Sequence, residues 1–339
     1  MELRVIKDIV ELEKLKNDWN TLLLKSASHV PFLRHEYLSS WWKTLGGGEW
    51  DFGYLHVITG TRQGELAGIA PFFSSINLDG RPALLFLGSI EISDFLDVIA
   101  PSESLPVFIE SLMAYLDGLD SPNWEVIDLY NILEDSASIP LITDAASRYG
   151  WKTVKERLQP APSIALPNSW EDYMGLIKKK QRHEIRRKIR RAENYILPIN
   201  WYIVDDESTL DDEIQAFLQL MAFDPQKDTF LTEIMQTQMR ESVHTAFKGG
   251  WLQLSFLEFG GEKAAAYLNF DYANNIWVYN SGINFNFSEL SPGWVLLAYL
   301  IQWAIDNERE CFDFMRGDEA YKYRFGGVNR YVYRLQVIR

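Results

Sequence analysis

Apolar positions dominate residues 293–306, GWVLLAYLIQWAID, where the polar side chains Tyr299, Gln302 and Asp306 fall at i, i+3 and i+7 and make one narrow seam on an otherwise apolar cylinder. A helix of that pattern has to be buried. The turn Ser291, Pro292, Gly293 opens it, residues 311–315 (CFDFM) read as an interior strand after it, and Arg316, Gly317, Asp318, Glu319, Tyr321, Lys322, Tyr323 and Arg324 crowd the stretch that follows. Ligands of open α/β sheets bind beyond strand ends, so residues 290–327 are the first candidate site.

From the N-terminus the pattern predicts a strand over 3–7, a helix over 11–24 with Leu12, Leu15, Trp19, Leu22 and Leu23 at helical spacing, and a helix over 35–45 closed by Gly46, Gly47 and Gly48. Residues 54–59 and 66–75 predict a hairpin around Thr61, Arg62, Gln63 and Gly64, with 84–87 continuing the sheet and 95–99 a further candidate strand. A helix at 105–116, a strand at 124–132, a helix at 139–149 and a strand at 151–156 complete the first half. Residues 159–169, QPAPSIALPNS, hold three prolines at low charge and predict a linker. Beyond it the pattern predicts one long basic helix over 170–195, a strand at 199–204, helices at 210–221 and 231–247, a hairpin of 252–259 with 263–272 around Gly260 and Gly261, and a strand at 275–282. A last strand, 331–338, is expected to close the second sheet.

The halves repeat. Gly64, Glu65, Leu66, Ala67 matches Gly261, Glu262, Lys263, Ala264 at the same turn, and each then runs strand, loop, helix, strand. With 339 residues, more than one ordinary core, this predicts two copies of one α/β module, 1–158 and 159–339. The net charge of −14 argues against general affinity for nucleic acid or anionic membrane, with one local exception in the basic run 178–191. The single cysteine, Cys311, excludes a disulfide framework and any multi-cysteine metal site; next to Phe312 it reads as a buried, inert thiol. His29, His35, His56, His183 and His244 lack metal-ligand spacing, so no metal is expected. Residues 1–30 have no basic region followed by an apolar one, and 294–305 is too short to span a bilayer, which predicts a cytoplasmic protein without a membrane span.

Four features resemble a known family: the basic helix 178–191, the hairpin 254–272, the turn Leu290, Ser291, Pro292, Gly293, and the run DFMRGDEAYKYR at 313–324. Two helices, a hairpin, a strand, a helix and a strand is the order of the GNAT (Gcn5-related N-acetyltransferase) fold. Residues 170–333 are similar to its CelD/BcsL group, the BioF2-like acetyltransferase domain, whose relatives include the tandem Fem aminoacyltransferases; the first half matches loosely. The resemblance implies mixed sheets of the α+β type in two tandem GNAT-like acyl-CoA N-acyltransferase modules. It also implies acetyl-CoA as co-substrate and a small-molecule or saccharide acceptor. Two other functions stay open with it, a catalytically silent accessory protein of polysaccharide synthesis and an aminoacyl-tRNA-dependent ligase.

Acyl transfer from coenzyme A needs a pyrophosphate cradle, polarisation of the thioester carbonyl and a base for the acceptor. Ser291, Pro292, Gly293 and Trp294 can form the cradle at a helix N-terminus, or merely start a buried helix; the superfamily's glycine-rich phosphate loop is absent. Asp313 alternates with Phe312 and Phe314, faces away from both, and is a candidate base or one half of an ion pair with Arg316 or Arg324. Asp318 and Glu319 can hold an acceptor amine, Tyr321 or Tyr323 can protonate the leaving thiolate, and Lys322 can bind phosphate or an acidic acceptor; the alternative is a solvated loop. The run of Lys178, Lys180, Arg186, Lys188 and Arg191 is either a solvated face, an anion site or a tRNA contact. Trp41, Trp42, Trp50 and Phe52 are an acceptor groove or aromatic core.

Overall fold

A computed structural model describes residues 1–339, in two compact units: Met1–Gln159 together with Arg330–Arg339, and Pro160–Asn329. In chain order the strands are β1 (Glu2–Ile6), β2 (Tyr54–Arg62), β3 (Glu65–Ile76), β4 (Pro82–Phe86), β5 (Val126–Leu133), β6 (Lys152–Pro160) and β7 (Ser163–Ala165). They continue as β8 (Ile199–Ile203), β9 (Leu252–Phe259), β10 (Glu262–Tyr272), β11 (Asn275–Ile283), β12 (Cys311–Asp313) and β13 (Tyr331–Ile338).

The first unit holds a mixed sheet in the order β1-β2-β3-β4-β5-β13-β6, antiparallel from β1 to β4 and at β5/β13, parallel at β4/β5. The second holds the order β8-β9-β10-β11-β12-β7, antiparallel from β8 to β11 and at β12/β7, parallel at β11/β12. Five consecutive strands therefore repeat with the same pairing sense, and the repeated glycines are structural. Gln63 and Gly64 (φ 56° and 83°) and Gly260 and Gly261 (φ 60° and 85°) occupy matching two-residue hairpin turns that need left-handed backbone.

Three expectations need correction or completion. The strand 331–338 closes the first sheet, where Leu335 pairs with Leu129 and Val337 with Ile127. Its alternation specifies a half-buried strand without specifying which sheet receives it. Residues 159–169 hold the division between the units, at Gln159 and Pro160, and also an edge strand, since Ser163–Ala165 pairs with β12 and the flanking Pro160 and Pro162 are tolerated at a sheet edge. The single long basic helix is two, Trp170–Leu176 and Lys179–Glu193, because Ile177 and Lys178 turn extended (ψ 141° and 136°).

In the second unit the helix Pro292–Asp306 is buried along most of its length, with Val295, Leu296, Leu297, Leu300 and Ile301 inside. Burying those five contributes on the order of 10 kcal/mol before conformational entropy. Strand β11 carries a helix on each face. A Cβ on Gly282 would lie 2.6 Å from the backbone of Leu220 in the helix Leu210–Ala222, and one on Gly293 would lie 2.7 Å from Ile283. Helices on both faces leave the ends of β11 and β12 as the outlet of the sheet.

Candidate active site

Strands β11 and β12 form a fork. They pair for three residues, Asn275 with Cys311 to Trp277 with Asp313, and then part, while β11 runs on to Ile283. A bulge shifts the β10 register between Leu268/Asn280 and Asn269/Val278, so Tyr279 falls between the two registers. β12 instead follows the edge segment: the Phe314 N–H donates to Pro162 and the Gly317 N–H to Pro160. The opening lies past the ends of two parallel strands, where side chains of both can converge.

Asp313 stands at the crotch, 1% exposed, accepting from the Met315 N–H at 2.8 Å. Phe312 and Phe314 pack into the core with the buried helix, so Asp313 projects to the other face. Met315 and Gly317 take left-handed backbone (φ 55° and 123°), which ends the strand and wraps the chain over Lys322. Lys322 was expected to bind phosphate or an acidic acceptor. It is instead turned under this loop, 2% exposed, donating to the carbonyls of Arg316 (2.6 Å) and Met315 (3.3 Å) with Glu319 at 3.0 Å, so its three protons are occupied. A side chain at Gly317 would strike Glu319 and Lys322, which explains glycine there.

Glu319 is exposed, and its charge acts on its neighbours: it holds Lys322 and, after burial itself, is the next cause raising the pKa of Tyr321. Tyr321 packs edge-on against Phe314, its hydroxyl makes no hydrogen bond within the protein, and it acts electrostatically on the buried phenol of Tyr267, raised chiefly by burial. Both phenols therefore stay protonated at neutral pH. Asp318 is exposed and accepts from the Tyr323 hydroxyl, and half-buried Arg316 supplies the carbonyl that Lys322 grips.

The short helix Ala320–Arg324 leads from this loop to the Ser-Pro-Gly turn, where Phe325 packs on Trp294 with ring centroids 4.9 Å apart. Ser291 is left-handed (φ 55°) and accepts at Oγ from Lys188 Nζ at 2.6 Å; that ammonium also lies 4.7 Å from the Trp294 ring centroid. Pro292 has no N–H and those of Trp294 and Val295 return to the Ser291 carbonyl. Burial first, then the charges of Arg187, Arg191 and Arg324, lower the Lys188 pKa, opposed by Glu184 at 3.8 Å. Arg324 is exposed and forms no ion pair. Cations thus gather at the positive end of a fifteen-residue helix dipole, offset in part by Glu184 on Arg187 at 2.7 Å and Glu289 on Arg191 at 3.5 Å.

One residue at the fork escaped the sequence pattern. Lys227, on the short helix Pro225–Phe230, donates to Ser281 O at 2.5 Å and Asn280 Oδ1 at 2.9 Å on β11. Residues 222–230 show no periodicity, although Asp224 followed by Pro225 is a helix-start signal, and Asp224 does cap the Gln226 N–H. Elsewhere, Trp41 and Trp50 pack on Phe73 in the first unit as core, and no group of His, Cys, Asp and Glu is arranged to hold a metal ion. No helix is long and apolar enough to cross a membrane.

Comparison with known proteins places this geometry. Residues 179–323, from the start of the basic helix through the fork to Tyr323, match the family model described as an acetyltransferase (GNAT) domain. No curated protein matches the chain. Among solved structures it is similar to FemX, at 10% identity over 98% of this chain and 97% of that one, with a TM-score of 0.63. It is also similar to the C-terminal domain of a putative lysylphosphatidylglycerol synthetase from Agrobacterium fabrum, at 12% identity over 96% and 92%, TM-score 0.57. A tandem GNAT protein from the clavulanic acid biosynthesis pathway matches at 9% identity over 99% and 98%, TM-score 0.50. At those identities the likeness is one of fold. Residues 179–323 thus match a GNAT-type acetyltransferase domain, and the chain as a whole shares the tandem GNAT fold of these structures.

Proposed function

We propose that the second unit transfers an acyl group, acetyl from acetyl-CoA, to an amine or hydroxyl of a small or saccharide-linked acceptor, by direct attack in a ternary complex. The observation that carries this is the cation cluster of Lys188, Arg187, Arg191 and Arg324 at the N-terminus of the helix Pro292–Asp306, one short helix away from the fork. The loop before that helix is a 3₁₀ turn, Phe285–Leu290, with no glycine, so these side chains rather than a backbone cradle would hold the donor's phosphates. Asp313 would take the acceptor proton, Asp318 and Glu319 would orient the amine, and Tyr321, protonated at neutral pH, would donate to the leaving thiolate. No nucleophile suited to a covalent intermediate stands at the fork, which favours direct attack.

Calorimetry tests the donor. Acetyl-CoA should bind the full chain in the micromolar range, and Arg324→Glu should weaken it about tenfold with a shallower salt dependence. Absence of binding at millimolar acetyl-CoA would sink this reading and favour a silent accessory protein. A second reading, an aminoacyl-tRNA-dependent ligase, is favoured by Arg186 and Arg190, exposed on the basic helix without ion pairs. It requires tRNA affinity that falls steeply with salt.

A further inference from the structure

We propose that Lys227 is an anion-reading residue of the fork and that the ligand entering there carries a carboxylate or phosphate oxygen which Lys227 receives. The proposal deepens the transferase reading by naming the charge class of the substrate, and rests on it only for the step that uses turnover.

Lys227 is half-buried with its ammonium turned inward onto β11, at Asn280 and Ser281, on the stretch of that strand past its last pair with β12. Both partners are neutral oxygens. No carboxylate lies within ion-pair distance, while Asp224 and Glu319 act on it only from farther away, and burial lowers its pKa. Other inward-turned cations of this unit are matched: Lys322 has Glu319 at 3.0 Å, Lys263 has Glu213 at 2.5 Å, and Arg309 has Asp271 at 2.7 Å. An ammonium offers three protons, and two acceptors leave one for a ligand. A desolvated cation with neutral partners gains most from an anion that arrives already stripped of water.

The position also bears on what the ligand can be. An extended ligand lying along β11 would pair its amide N–H groups with strand carbonyls, yet the Ser281 carbonyl is taken by Lys227. A ligand presenting an acceptor oxygen there completes the lysine, whereas one presenting only N–H groups has to displace it.

The test uses the full chain labelled with ¹⁵N-lysine, with the Lys227 Nζ resonance assigned by its loss in Lys227→Met. Inorganic phosphate and acetate are titrated separately at constant ionic strength. A saturable shift with phosphate assigns a phosphorylated ligand, one with acetate a carboxylated ligand, and both results support the proposal. No shift with either overturns it. Lys227→Met should melt no lower than the parent; a large fall would make Lys227 a clamp between the helix Pro225–Phe230 and β11 and would equally overturn it. Lys227→Arg keeps the cation and should bind the same anion within a few-fold; loss of anion binding in this variant would also count against the proposal. In turnover with acetyl-CoA, glucosamine 6-phosphate over glucosamine, or glycine over glycinamide, should be preferred at least tenfold in kcat/KM, and Lys227→Met should remove that preference. If none of these acceptors reacts, the transferase reading is what suffers, and the resonance shift still decides the role of Lys227.

Discussion

The two units carry the same five strands and differ at the fork. In the first unit β4 and β5 pair through Ala83/Val126 to Leu85/Asp128, just as β11 and β12 pair through Asn275/Cys311 to Trp277/Asp313. There β4 stops at Phe86 and the chain itself fills the gap. The Leu96 N–H donates to the Asn131 carbonyl, Asn131 Nδ2 donates to the carbonyls of Ile90 and Ser93, and Phe95, Leu96, Val98 and Ile99 are buried. In the second unit the corresponding connection is short, and the opening holds Lys227, Glu319 and Tyr321 instead.

The carboxylates at the two forks differ with it. Asp128 and Asp313 occupy the same register and are both buried, but Asp128 takes both arms of Arg334 at 2.7 Å and Asn77 at 2.7 Å. Asp313 has the Met315 N–H at 2.8 Å as one of its partners. The first carboxylate is tied to a cation and an amide of its own unit, which makes that fork architecture.

The largest expected effect is at the open fork. Asp313→Asn should lower kcat about 10²- to 10⁴-fold, the range for a general base, with little change in Tm. Unchanged turnover would remove Asp313 as the base, and with it the distinction between the forks. At the plugged fork the signs reverse. Asp128→Asn removes the buried partner of Arg334, whose side chain is 13% exposed, and leaves it Asp79 at 2.6 Å; it should cost about 1–3 kcal/mol in denaturant unfolding while acetyl-CoA turnover per folded molecule holds. Leu96→Ala, in the plug at 2% exposure, should destabilise by about 3 kcal/mol, again without loss of turnover. A change in donor affinity on loosening the plug would mean that the first fork also binds ligand.

A smaller, pH-dependent effect is confined to the first unit. Burial, then the charge of Lys7, lowers the pKa of His56 from 6.5 to about 4. The unfolded chain therefore binds a proton that the folded one refuses, so stability is full above pH 6.5 and is lost as pH falls toward 4. The loss is at most about 3 kcal/mol. His56→Phe should flatten the curve of Tm against pH in that window, and a curve that keeps its slope would assign the acid sensitivity elsewhere.

Much of this was legible in the residues. The hairpin turns at Gly64 and Gly261, the buried helix after Ser291 and the outward face of Asp313 follow from left-handed turn preferences and from periods of two and 3.6. Lys322 was misjudged because a lysine among charged neighbours gives no sign of whether it faces water or three carbonyls beneath its own loop. Lys227 was missed because a short helix of low periodicity carries its meaning in what it lands on.

By itself the sequence determined the local order: which segments are strands and helices, which faces are apolar, and that one module occurs twice. These depend on side-chain periodicity and backbone preference, which act within a few residues. Tertiary structure alone decided that the final strand pairs with β5, that one fork is plugged and the other open, and that Lys227 meets Ser281 across 54 positions of chain. Pairing and burial between distant segments depend on which surfaces remain unmatched after the local elements form, and no single window of the sequence contains that choice.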